Sequence, residues 1–290
     1  MEFAADFKAL LSSIEPGEDH VADAKAAHET VRDQLRKDDE FKDAHKDTFL
    51  SGSYARHTAI NDINDVDVIC LVDIDHAITE PEVVLAWTQS ILGKYYKKTK
   101  RQGRSIGVQA ANDVWVDLVP AASQNGDNGP LWIPDREAKE WVGTHPKGQI
   151  KAATDKNKAI DGYYVHVVKL LKFWRDHLPT ESCRPKSYIL ESIVHRSVGY
   201  PSSHAAGIVS VLEGTESSFG WYRGMNTVPT ISDPGYSVVN VAKHWPANEF
   251  NDFMVQVKTA AGTARNALAS KDESESRKLW RKLFGATFGA

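Results

Sequence analysis

Hydrophobic positions follow two different rhythms along the chain, and the change of rhythm divides it. Between residues 21 and 35, apolar or small positions recur at Ala24, His28, Val31 and Leu35, the spacing of one helix face. A Pro/Gly/acid break at 15–19 precedes this helix, and a heavily charged stretch at 37–46 follows it. The period then shortens. Residues 65–72 (DVDVICLV) alternate and are β-branched, which predicts a strand. Thr79 and Pro81 mark a helix start, and Val84, Trp87, Ile91, Leu92 and Tyr95 form its apolar face. Two further strands are predicted at 105–110 and 114–119, joined by a turn at Ala111, Asn112 and Asp113. Beyond Pro120 the helical rhythm returns. Tyr164, Val167, Val168, Leu171 and Trp174 make one stripe, 187–198 a second helix, and 249–283 a helical tail with an acidic, serine-rich interruption at 271–276. The pattern predicts an α+β, bilobal fold. An N-terminal helical segment over 1–47 packs across both lobes, a mixed sheet with flanking helices forms a core over 48–150, and an α-helical C-terminal lobe covers 151–290.

Composition bounds the function classes. A chain of 290 residues, 41% hydrophobic and 26% charged, is long enough for two lobes with a sizeable core. The net charge of -4 gives no basic field, so stable nucleic-acid binding is not indicated. Cys70 and Cys183 show no metal-ligand spacing, which argues against zinc and against a disulfide framework. No signal peptide and no stretch of about 18 apolar residues is found. A cytoplasmic protein without membrane association is the expectation.

The chemistry concentrates around Gly52 and Ser53, followed a dozen residues later by Asp65 and Asp67. On a strand, residues i and i+2 share a face about 7 Å apart, so both carboxylates can reach toward one cation pair. Buried like charges are costly unless paired or metal-bound. Asp117, an isolated acid in the apolar run VWVDLV, supplies a third ligand. Magnesium takes oxygen ligands and accompanies phosphates, and a Gly-Ser turn offers backbone N–H groups and a hydroxyl to a terminal phosphate. These parts suit in-line attack of a hydroxyl on an α-phosphate, with two ions dividing the work. One lowers the hydroxyl pKa and the other neutralises the leaving pyrophosphate. A second DxD, Asp73 and Asp75, reads as solvated acids at a strand end.

The segments GSYARHTAI, DVDV and VWVDLVPA resemble the bacterial relatives of cyclic GMP-AMP synthase and oligoadenylate synthetase, the CD-NTases, within the DNA polymerase β-like nucleotidyltransferase superfamily. The likeness continues through LWIPDR, VVKLLKFWRD, PKSYILE, ISDPG and LWRKLFG. It implies a polymerase β-like nucleotidyltransferase core and a Mg2+-dependent enzyme, with Mn2+ as substitute and two ions per site. That enzyme condenses NTPs, ATP among them, into a cyclic di- or trinucleotide for antiphage signalling, and the product is sensed by a separate effector. The resemblance assigns Asp65, Asp67 and Asp117 to metal and Gly52 and Ser53 to triphosphate. It also places a lysine and a Ser-Tyr pair near the nucleotide. Lys172, at the edge of the apolar stripe, is preferred to the more solvent-facing Lys169, and the pair is Ser187 and Tyr188.

For several residues a plain structural role competes. Ser187 can simply cap a helix and Tyr188 can pack in a core. His57 stands where many relatives carry a small residue, and neither it nor Arg56 receives a catalytic role. The basic run Lys94, Lys97, Lys98, Lys100, Arg101 and Arg104 reads first as a solvated helix end and loop. The small C-terminal residues ending in Ala290 admit conjugation to another molecule, against an ordinary frayed or docked terminus. Two rival functions remain: a linear nucleotidyltransferase acting on an RNA or protein acceptor, and an inert nucleotide-binding module.

Overall fold

The structure, a computed structural model, describes residues 1–61, 63, 65–110, 113–124, 126 and 128–289. The chain forms two compact units. One is Pro16–Lys151, and the other joins Met1–Glu15 to the chain from Ala152 onward. The segment expected over 1–47 is therefore divided at Glu15/Pro16, and its first helix and second helix belong to different units.

In the unit Pro16–Lys151, helix α2 (Glu18–Lys37) starts with Glu18 and Asp19 and ends with Arg36 and Lys37, charges that complement its dipole. It buries Ala24, Ala27, His28, Val31 and Leu35, the face its spacing predicts. The strands are β1 (His45–Leu50), β2 (Asp65–Val72), β3 (Thr99–Arg101), β4 (Ile106–Gln109), β5 (Trp115–Ser123), β6 (Leu131–Asp135) and β7 (Glu140–Thr144). Among the described residues they form one mixed sheet in the order β1-β2-β5-β4-β3, with β6 paired to the end of β5 and β7 to β6. A short turn of helix, α3 (Gly52–Ala55), and α4 (Pro81–Gly93), with Pro81 in its first turn, complete the unit.

β2 and β5 run parallel, with Asp65 opposite Trp115 and Asp67 opposite Asp117. Alternation sends Val66, Val68, Cys70 and Val72, with Val116 and Leu118, into a core under α2 and α4. Ile69 and Leu71, with Val119 and Ala121, point the other way and join Leu131 and Ile133 in a second core. The sheet is thus apolar on both faces through its middle. Only at the starts of β2 and β5 does the second face turn acidic. β6 and β7 lie outside the sequence expectations. They are short, with Pro134 and Gly143 interrupting alternation; β6 pairs with β5, and β7 pairs with β6.

The second unit is mainly helical: α1 (Ala4–Ile14), α6 (Tyr163–Asp176), α7 (Ser187–Ser197), α8 (His204–Phe219), α9 (Ala247–Ala269) and α10 (Glu273–Phe284). A small hairpin of β8 (Ser232–Asp233) and β9 (Tyr236–Asn240) accompanies them, and the division between units falls inside α5 (Pro146–Ala159). α1 packs on α6 and α8. The serine-rich interruption expected at 271–276 is present but shorter, a break at 270–272 between α9 and α10, and 273–276 already belong to α10. Asp272 caps α10 by accepting the Glu275 N–H at 2.9 Å. Phe288 is fully buried against Phe3, Phe7, Trp280 and Phe284, so the tail is docked through this residue. Ala290, the expected conjugation point, and the turn residues Ala111 and Asn112 lie outside the described residues. No helix among the described residues is long and apolar enough to cross a membrane. Both cysteines are buried and free, and burial pushes the Cys70 thiol up to about 12.

Candidate active site

The parallel pairing of β2 with β5 brings Asp67 and Asp117 side by side on the same sheet face, and alternation adds Asp65 to that face. Asp65 is exposed, Asp67 half-buried and Asp117 buried. Adjacent strands lie about 4.8 Å apart. At that spacing two carboxylates repel by about 3 kcal/mol at an effective dielectric of about 20. The consequence is visible in their acidity. Burial, then the charges of Asp65 and Asp117, push Asp67 up to about 6, against a partial offset from Arg56. Asp117 is raised by burial and then by Asp65, opposed by Gln102 and Lys100.

Gly52 follows directly from this neighbour. Ser51 N–H donates to the Asp67 carbonyl at 2.8 Å, which fastens the end of β1 to β2. Gly52 then turns at φ +67°, and a Cβ there would collide with Asp67 Oδ2. The glycine is needed twice, for its backbone conformation and for the room it leaves the carboxylate. Ser53 follows in the same turn, its carbonyl accepting the Thr58 N–H at 2.9 Å. The sheet unit therefore brings together Gly52, Ser53, Asp65, Asp67 and Asp117.

These donors fit a hard divalent cation. All are carboxylate oxygens without Cys or His, which suits Mg2+ or Mn2+ over zinc, and they gather negative charge that Arg56 and Lys100 offset only in part. Among the described residues no group of three or more His, Cys, Asp or Glu side chains is gathered closely enough to hold a metal ion as it stands.

Gln102 escaped the sequence reading. Its Nε2 donates to Asp117 Oδ1 at 2.8 Å and to Oδ2 at 2.9 Å. Nothing in the sequence marks a glutamine in a basic turn as the partner of an acid 15 residues on. The surrounding run is solvated, with Lys94, Lys97, Lys98, Lys100 and Arg104 exposed and several of its charges paired. Lys94 pairs with Asp38 and Glu40, Arg101 with Glu82, and Arg104 with Asp135. Asp73 and Asp75 behave as strand-end acids: Asp73 meets Lys46 and Asp75 accepts the Ala77 N–H.

The helical unit holds the other expected residues. Lys172 is not at a solvent edge. It is 2% exposed and pairs with the equally buried Glu191 at 2.7 Å. Lys169 is buried as well, at 9% exposure, and pairs with Glu15. The apolar stripe misleads here because α6 is enclosed on more than one side, so both lysines needed carboxylates. Ser187 opens α7 after Lys186, the residue at the cap position, and its Oγ accepts from Arg175 at 2.8 Å. Tyr188 donates its hydroxyl to Asp233 Oδ1 at 2.7 Å, which joins α7 to the β8–β9 hairpin.

Residues 1–157 match the model of the Second Messenger Oligonucleotide or Dinucleotide Synthetase domain. The chain is 36% identical, over 97% of its length and 84% of the relative's, to a cyclic AMP-AMP-AMP synthase of Acinetobacter sp.. It is 28% identical, over 99% and 92%, to a cyclic AMP-AMP-GMP synthase of Enterobacter hormaechei. Its fold is that of Escherichia coli CdnC solved with ATP, at TM-score 0.82 and 17% identity over 100% of this chain and 99% of that one. The apo form of Vibrio cholerae DncV gives TM-score 0.72 and 15% identity over 97% and 93%.

Proposed function

Because the chain belongs to the CD-NTase family of cyclic-oligonucleotide synthases, and so is a nucleotidyltransferase that condenses NTPs into a cyclic product, we propose that it makes an adenylate-rich cyclic trinucleotide at a magnesium site formed by Asp65, Asp67 and Asp117. Antiphage defence signalling is a role that fits this family. The adjacency of Asp67 and Asp117 on parallel strands, with Gly52 cleared for the Asp67 carboxylate, carries the site assignment. The trinucleotide and its adenylate content rest on the relatives named for cyclic AMP-AMP-AMP and cyclic AMP-AMP-GMP.

In this mechanism Asp65, Asp67 and Asp117 would hold two ions, which when bound would supply charge neutralisation at the triphosphate and acidify the attacking hydroxyl. Gly52 and Ser53 grip the terminal phosphates with backbone N–H groups and a hydroxyl. A ribose hydroxyl of the acceptor nucleotide attacks the α-phosphorus. The new P–O bond forms as the bond to the β-phosphate oxygen breaks, pyrophosphate leaves, and the hydroxyl proton passes to water. Repeating the step lengthens the chain, and the last repeat closes the ring. From the helical unit, Ser187 contributes a phosphate contact and Tyr188 a stacking surface for a base. Lys172, expected as a direct nucleotide contact, acts through its pair with Glu191 by holding α6 to α7 beneath Ser187 and Tyr188.

The substrates are NTPs with ATP foremost, the product acts on a separate effector, and the enzyme works in the cytoplasm. Conjugation through Ala290 would require release of the buried Phe288 from the four rings it packs against.

The test is incubation with all four NTPs and Mg2+ or Mn2+, followed by mass spectrometry. A phosphatase-resistant cyclic trinucleotide should form from ATP, with or without GTP, and no primer. The double variant Asp65→Asn, Asp67→Asn should give none while melting like the wild type. Product from the double variant, or transfer only when RNA or protein acceptor is added, overturns the proposal.

A further inference from the structure

We propose that Gln102 is a positioning residue for the reaction, holding the Asp117 carboxylate in the plane in which it receives a cation, and that Gly107 is the notch that lets it do so. The inference rests on the reading of Asp117 as a metal ligand.

Four residues lie in one row across the sheet: Asp67 of β2, Asp117 of β5, Gly107 of β4 and Lys100 of β3. At the third place in this row there is no side chain. A Cβ on Gly107 would stand 2.8 Å from Asp117 Oδ1, 3.2 Å from Gln102 Nε2 and 3.3 Å from the Trp115 ring. The amide of Gln102 uses that gap to reach both carboxylate oxygens. Only its NH2 can face them, since the amide oxygen would meet two anionic acceptors. A carboxylate has about four lone-pair sites, and the amide takes at most two. The remaining sites, on the side of Asp65 and Asp67, stay open for a cation.

Gln102 does not need these bonds to hold its own turn. Its N–H donates to Ser105 O at 2.9 Å, and its neighbours are fixed independently. Arg101 Nε donates to Gln89 Oε1 at 2.9 Å, Arg104 donates from Nε and Nη2 to Asp135 Oδ2 at 2.9 and 2.7 Å, and Arg136 N–H donates to Gly103 O at 2.9 Å. The basic run thus works as an anchored bracket that presents the Gln102 amide to Asp117, while Lys100 of the same row acts on it through its charge. Neutrality matters. A lysine or arginine at this place would compete with the cation, whereas an amide orients Asp117 without adding positive charge. Partners of this kind, one step removed from a metal, are typically worth 10- to 100-fold in affinity or activity.

The experiment measures Mn2+ binding by the free-ion EPR signal, Mg2+ dependence of turnover, and thermal melting, for wild type, Gln102→Leu, Gln102→Met and Asp117→Asn. With melting within a few degrees of wild type, either Gln102 variant should bind Mn2+ about tenfold or more weakly and need correspondingly more Mg2+ for half-maximal rate. Saturating Mg2+ should restore most of the turnover. Mn2+ affinity equal to wild type, or tighter, in a folded Gln102 variant while Asp117→Asn has lost it overturns the role of Gln102 alone. Full binding and turnover in Asp117→Asn overturns the site reading beneath it.

Discussion

At the scale of single residues, the site is a set of conflicts that its neighbours resolve. Asp67 is a carboxylate pressed between burial and two like charges, and it sits against a glycine that cannot be replaced without collision. Gly52→Ala should therefore lose turnover about a hundredfold, the order expected when a catalytic group moves by about an ångström. Its stability should fall by only about 1–2 kcal/mol, the cost of a left-handed conformation at a non-glycine residue. Initial rates at saturating ATP, beside urea unfolding, separate the two effects. Rates equal to wild type would mean that the Gly52 turn is not part of the machinery. The aspartates themselves were legible in the sequence, because an isolated acid inside an apolar strand must have a partner. Gln102 was not. Its role depends on a contact made across a hairpin and on the empty place at Gly107, and neither leaves a local pattern.

At the scale of elements, the buried ion pair of Lys172 and Glu191 links α6 to α7. Breaking one partner of such a pair typically costs about 3–5 kcal/mol, because a charge is left uncompensated, while replacing both with apolar residues is often neutral. Lys172→Met should destabilise by that amount in urea unfolding, and the double variant Lys172→Met, Glu191→Leu should recover most of it. If the lysine acts through the helix pair, the double variant also regains nucleotide binding. If the lysine itself meets phosphate, binding stays lost in both. Helical spacing located α6 correctly and misjudged its lysines. A wheel reports which residues share a face, and α6 turns more than one face to the interior. The strands β2 and β5 were readable from alternation. β6 and β7 were not, since five residues broken by Pro134 or Gly143 carry too little periodicity.

At the scale of the whole molecule, the sheet unit holds the proposed metal site, and the helical unit holds a buried pair of histidines that predicts a pH dependence. His204 opens α8, is buried, lies 3.1 Å from His166, and packs on Phe7 and Tyr163. Burial first, then the charges of His166 and Lys8, bring its pKa down to about 4. His166 is lowered as well, chiefly by burial. The unfolded chain takes up a proton near the ordinary value of about 6.5, and the native protein resists it until about 4. Stability from this pair is therefore present above about pH 6.5 and lost as pH falls toward 4. The melting temperature should drop steadily from pH 7 to pH 5, and His204→Phe should flatten that drop. An unchanged slope in the variant would remove His204 as the cause.

The sequence by itself determined the alternating strands, the amphipathic helices, the three acids and their family. The strands, helices and acids are encoded in spacing or in an acid placed against its surroundings, which burial imposes locally, and the family is carried by the motifs that resemble it. Only the tertiary structure decided which strands became neighbours, and so set Asp117 beside Asp67 and gave it Gln102. It also buried Lys172 on Glu191, divided the first two helices between units, and docked Phe288. Those outcomes depend on pairs of residues far apart in the chain, and no local pattern records what each one will meet.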